Sequence, residues 1–123
     1  MSDHHHSHGK GVQEELAPLA RELRTLIPDV LKGFGTLSQA AMADGSVSKK
    51  HKELIALAIA ISHKCDGCVA AHARGAARER ATEQEVAETI GVAILMNGGP
   101  ATVYGPRALA AFREFSDGGH TAR

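Results

Sequence analysis

The chain has 123 residues, 43% of them hydrophobic and 23% charged, with Lys plus Arg matching Asp plus Glu at 14 each, which reads as one soluble globular domain. That balance leaves no basic field to hold phosphates and excludes a dedicated nucleic-acid binder. The longest apolar run, residues 54–61, falls far short of the roughly 20 residues that span a bilayer, so no membrane role is expected.

Residues 1–11, "MSDHHHSHGKG", are polar, glycine-flanked and His-rich. They read as a disordered tail or tag remnant, with adventitious metal binding as the alternative. The domain is expected over residues 12–116. Val12, Leu16, Leu19, Leu23 and Leu26 recur at helical spacing and predict a first helix, its start delayed by Pro18. Pro28 suits the first turn of a second helix, with Val30, Phe34, Leu37 and Ala41 as its apolar stripe, and "DGS" at 44–46 is a turn signal. Ser48 caps the third helix. "KKHKELIALAIAIS" is polar for one turn and then apolar on every face, the pattern of a helix buried all round. A buried strand is the competing assignment for this stretch.

A fourth helix is predicted over about 66–80. "TEQE" at 82–85 forms a capping box that starts a fifth, continuing through Val86, Ile90, Ile94 and Leu95 until "NGGP" stops it. Pro100 opens the last helix, and Pro106 is expected to kink it or delay its start. Residues 117–123 read as a frayed tail. No stretch alternates with period two and no internal repeat occurs, so the fold class is all-α with six helices. Aromatics are 3% and Trp is absent. Small side chains bury little apolar area each, so the helices must approach closely or pack against a second copy in a homo-oligomer. The start of the chain lacks a signal-peptide apolar core, which predicts a cytoplasmic protein. Thiols are kept reduced there, which favours a catalytic or metal-binding role for a cysteine pair.

The two cysteines stand in "CDGC", Cys65 and Cys68, with His72 four residues on. Spacings of three and four place side chains on one helix face. An imidazole one turn beyond Cys68 can take its proton, and Cys65 at the helix N-terminus gains from the dipole. Glu53 lies 12 residues before Cys65, about 18 Å away on one straight helix. If the chain reverses around 62–64, an antiparallel αα-hairpin brings Glu53 level with His72. Glu53 shares its face with Ala56, Leu57 and Ala60; Cys68 and His72 share theirs with Ala71 and Gly75. Spacing therefore suggests a relay from Glu53 through His72 to Cys68, with Cys65 as resolving thiol. Core packing of the cysteines and a structural zinc site using Cys65, Cys68 and His72 with Glu53 or His63 remain open on the same residues. A thioredoxin fold lacks its βαβ context.

These residues, Glu53, Cys65, Cys68 and His72 within "ELIALAIAISHKCDGCVAAHARGA", together with the later "GGPA", resemble the core motif of the alkyl hydroperoxidase D (AhpD)-like family, in the carboxymuconolactone decarboxylase superfamily. The similarity spans about residues 31–115. It implies an all-helical domain assembling as trimers or hexamers, with thiol-dependent peroxidase or disulfide-reductase activity. It makes Cys68 the peroxide-reactive thiol, Cys65 the resolving thiol, and His72 and Glu53 the proton relay. It implies no metal, haem or other cofactor; the partners are a hydroperoxide and a dithiol or lipoyl-type electron donor. The best-characterised peroxidases of that family carry a histidine where Gly67 stands here, and His63 is the nearest candidate for an auxiliary role. The decarboxylase branch typically lacks the cysteine pair. A non-catalytic redox sensor and a decarboxylase-like lyase are the other functions considered.

Overall fold

Local chemistry at the helix ends sets the architecture. The computed structural model describes residues 7–116; the ends of the expected tails, 1–6 and 117–123, lie outside them. Six helices follow in order: α1 Lys10–Leu26, α2 Pro28–Met42, α3 Lys49–His63, α4 Asp66–Arg78, α5 Glu83–Asn97 and α6 Ala101–Ser116. No strand occurs among the described residues, so the strand alternative for residues 54–61 is overturned. Ser48 caps α3 by accepting from the His51 N–H, and the interleaved alanines favour helix.

The "TEQE" box forms in both directions. The Glu85 N–H donates to Thr82 Oγ1 at 3.0 Å and the Thr82 N–H to Glu85 Oε1 at 2.8 Å. Glu85 also accepts from Lys50 Nζ at 2.9 Å, tying the start of α3 to the start of α5. The Lys50 bond first, then the Thr82 amide, hold the Glu85 carboxyl below its ordinary range. α4 stops at Arg78, two residues before the predicted end. Arg80 there takes the left-handed conformation (φ 65°), while the Ala81 N–H reaches back to the Ala76 carbonyl and the Arg80 N–H to that of Ala77, a Schellman closure. Gly98, at φ 75°, ends α5 in a conformation that glycine adopts without strain.

The two internal prolines neither start nor delay a helix. Pro18 lies inside α1 and Pro106 inside α6. Both are exposed, as are Glu14 and Thr102, whose carbonyls lose the i→i−4 partner. Those carbonyls belong to solvent-exposed residues, where water can replace the lost partner, and each helix runs on.

The start of α1 falls at Lys10 rather than Val12, because α6 caps it. Gly9 offers no side-chain cap. Glu114 takes that role, accepting from Ser7 Oγ at 2.8 Å, the His8 N–H at 3.2 Å and the Lys10 N–H at 2.8 Å. Partial burial works to raise the Glu114 carboxyl, but these donors outweigh it and hold the group below its ordinary range. A carboxyl lowered by folding adds stability above the ordinary glutamate value, about 4.3, and loses it as pH falls through the lowered one. Glu114→Gln is therefore expected to lower the melting temperature at neutral pH and to flatten its decline below about pH 5. Parallel melting-temperature profiles from pH 7 to 3 for both proteins would refute this.

The core sits between α3, α4, α5 and α6. Leu57, Ile61 and Val86 are its largest fully buried side chains, set among alanines of α4 and α6 that include Ala73, Ala76, Ala108 and Ala111. Small residues bring these helices close, as expected. α1 and α2 bury no residue, and Leu19, Leu23, Val30, Phe34 and Leu37 are exposed. No helix among the described residues is long and apolar enough to cross a membrane.

Candidate active site

The chain reverses between α3 and α4 within two residues. Lys64 adopts the left-handed conformation (φ 54°, ψ 41°); its N–H bonds the Ile61 carbonyl, and the Cys65 N–H bonds that of Ala60, both at 3.1 Å. Cys65 thus closes the Schellman motif of α3 and is also the N-cap of α4. Its Sγ accepts from the Cys68 N–H at 3.2 Å. The amide turns the positive end of its N–H dipole toward this sulfur, which favours the thiolate form. Cys65 and Cys68 are joined as a disulfide with Cα atoms 5.2 Å apart. Cys68 is exposed and Cys65 half-buried.

The hairpin brings Glu53 and His72 together. His72 Nδ1 lies 2.8 Å from Glu53 Oε1. Glu53 is 9% exposed, and a buried carboxylate is costly without a partner. An ionised carboxylate only accepts, so the contact puts a proton on Nδ1; in the neutral ring it leaves Nε2 as an acceptor. His72 keeps about a third of its side chain open to solvent, one turn beyond Cys68. The arrangement therefore offers an oriented imidazole nitrogen one helical turn from a cysteine of the disulfide pair.

The structure does not draw His63 into this group. It is the exposed last residue of α3 and, among the described residues, shares no hydrogen bond with either cysteine. No cluster of three His, Cys, Asp or Glu side chains among the described residues is placed to hold a metal ion.

Leu16 is the neighbour that sequence reasoning missed. Its Cδ1 lies 2.9 Å from where a Cβ on Gly67 would stand, so α1 rests on the turn between the cysteines. Gln13 Oε1 accepts from Arg74 Nη1 at 3.3 Å further along the same pair of helices. The position between the cysteines is thus partly occupied from outside the motif. An apolar stripe on α1 was legible, but nothing in it specified α4 as the surface it meets.

A family model described as the carboxymuconolactone decarboxylase family matches residues 28–114. An uncharacterised protein of Cupriavidus necator is 37% identical over 108 residues, spanning 76% of this chain and 96% of its own. A second, described as uncharacterised protein 4 in the cox locus of Paracoccus denitrificans, is 41% identical over 81 residues, or 66% of this chain and 73% of its own. Among solved structures, the crystal structure of an apo carboxymuconolactone decarboxylase family protein from Legionella pneumophila superposes with a TM-score of 0.83. That protein is 40% identical, and the match covers 86% of this chain and 95% of that one.

Proposed function

The chain belongs to the carboxymuconolactone decarboxylase family, and from that premise we propose that it is a thiol-dependent hydroperoxide reductase of the AhpD-like kind. One observation carries the reading: an exposed cysteine of a CxxC pair lies one turn from a histidine that is oriented by a buried glutamate. In the proposed cycle His72 Nε2 takes the Cys68 thiol proton. The thiolate attacks one peroxide oxygen, the O–O bond breaks, and the alkoxide leaves as an alcohol with that proton. Cys68 is then a sulfenic acid. Cys65 attacks its sulfur, forming the Cys65–Cys68 disulfide and releasing water. A dithiol donor reduces the disulfide in two exchange steps and is itself oxidised to a disulfide. Hydroperoxide and dithiol thus become alcohol, water and oxidised donor. The reducing milieu that supplies such a donor supports a cytoplasmic location.

Steady-state turnover with hydrogen peroxide and an alkyl hydroperoxide, using a dithiol donor, tests this directly. Mass spectrometry of the reduced protein after stoichiometric peroxide should show loss of two hydrogens, mapped to Cys65 and Cys68. Thiols that stay reduced would sink the proposal.

A redox sensor is the second reading, favoured by the seat of Leu16 on Gly67 inside the disulfide ring. It differs in predicting an oligomer or conformational change on oxidation with negligible turnover.

We further propose a homo-oligomer built on α1 and α2, which bury no residue within one chain. Phe34 is 66% exposed between Val30 and Leu37, and an apolar face of this kind marks an interaction surface. Size exclusion with light scattering should give a mass above one chain for the wild type and a smaller species for Phe34→Asp. A monomeric wild type would refute it.

A further inference from the structure

We infer that Gly75 is a positioning residue of the site: its missing side chain makes the space in which the Glu53 carboxylate sits against α4 and meets His72. Gly75 lies three residues beyond His72, on the same helical face, and is buried. A Cβ built on it would fall well within 3.0 Å, a separation real Cβ atoms essentially never show, from the Glu53 carboxyl carbon and both its oxygens. All three atoms belong to the group that holds His72 Nδ1 at 2.8 Å, so the overlap cannot be relieved without moving the carboxylate.

The local sequence points the same way. α4 is built largely of alanine, with Ala70, Ala71, Ala73, Ala76 and Ala77 around this position. Glycine in a helix interior costs about 1 kcal/mol relative to alanine. Three other helical glycines meet no obstacle, since a Cβ on Gly33, Gly35 or Gly91 would have nothing within 4 Å, and at Gly67 and Gly105 the obstacle is an apolar side chain, Leu16 or Ile90, rather than a carboxylate. At Gly75 the helical cost is offset by a contact that alanine cannot make. Glu53 is itself buried, so it has little freedom to retreat, and displacing it would strand a carboxylate away from its partner.

The inference rests on the relay reading of Glu53 and His72, and a double-mutant cycle separates the two. The measurements are the rate at which iodoacetamide alkylates Cys68 in the reduced full chain, assigned by fragmentation, and the 15N resonances of the His72 ring. Glu53→Ala and Gly75→Ala should each slow alkylation about tenfold and shift the ring from its Nδ1-protonated signature, while the double variant matches Glu53→Ala alone, because coupled residues do not add. Gly91→Ala should behave as the wild type. If Gly75→Ala folds poorly, the double variant should recover the melting temperature of Glu53→Ala, since removing the carboxylate makes room for the methyl group. Equal costs of Gly75→Ala in both backgrounds, or an unchanged His72 signature in Gly75→Ala, would overturn the inference. If Glu53→Ala leaves alkylation unchanged while Gly75→Ala still shifts the His72 signature, the relay reading fails and the positioning role stands.

Discussion

Cys68→Ser is expected to abolish peroxide turnover, a loss of about 10³-fold or more, whereas Cys65→Ser should still react once and then stop. The contrast follows from geometry and chemistry together. Cys68 is the exposed sulfur, and His72 stands one helical turn beyond it, so removing that thiol removes the proposed nucleophile. Cys65 is half-buried at the N-cap of α4, its Sγ bonded by the Cys68 N–H, and in the proposed cycle it acts only after the oxygen has been transferred. Without it the Cys68 sulfenic acid has no partner within the chain. Dimedone should then label Cys68 in Cys65→Ser after about one equivalent of peroxide, and label neither protein when peroxide is omitted. Wild-type turnover in Cys68→Ser, or undiminished turnover in Cys65→Ser, would assign the chemistry to other atoms.

Much of this site was legible because its parts lie close in sequence and follow rigid rules. The capping box at Thr82 and Glu85, and the polar stop at "NGGP", fix where α5 begins and ends. The register of the α3–α4 hairpin comes from counting outward from a reversal of two residues, which is why the sequence alone pairs Glu53 with His72. What was not legible depends on which face of a helix meets which neighbour. Pro18 and Pro106 look like helix boundaries until the fold places them on the solvent side, where water can take up the freed carbonyls. The start of α1 is set by Glu114, more than a hundred residues away. No local pattern at Ser7 or Lys10 announces such a cap. Leu16 on Gly67 is the same kind of contact, between helices far apart in the chain.

That contact changes how Gly67 is read. In the sequence it marks only the lack of an inner histidine. In the fold it is where α1 crosses the first turn of α4 between the two cysteines, so a side chain added there must first displace Leu16. Leu16 can rotate, because it is the tip of a flexible side chain on an exposed helix, in contrast to the buried carboxylate that faces Gly75. The two glycines of α4 therefore differ in tolerance: the first opposes a movable neighbour, the second a buried carboxylate held by His72.

The same helix that carries Glu53 also sets how firmly the site is held, and here the largest stability effect is expected. Leu57 lies one turn beyond Glu53 and is 0% exposed, whereas Ile59, two residues on and similar in volume, is 53% exposed. Leu57→Ala should cost about 2–5 kcal/mol, combining lost transfer energy with the cavity left among alanines that have no longer side chains to fill it. Domains of this size have about 5–15 kcal/mol in total, and at this length each kcal/mol moves the melting temperature by about 3–6 °C, so a fall of about 6 °C or more is expected. Ile59→Ala loses a side chain that is already half in water and should cost well under half as much, unless a second copy covers that face. Denaturant unfolding followed by helical circular dichroism measures both. Equal costs at Leu57 and Ile59 in the Phe34→Asp background would mean that α3 presents a different face to the core, and with it that Glu53 is not held against α4 as described.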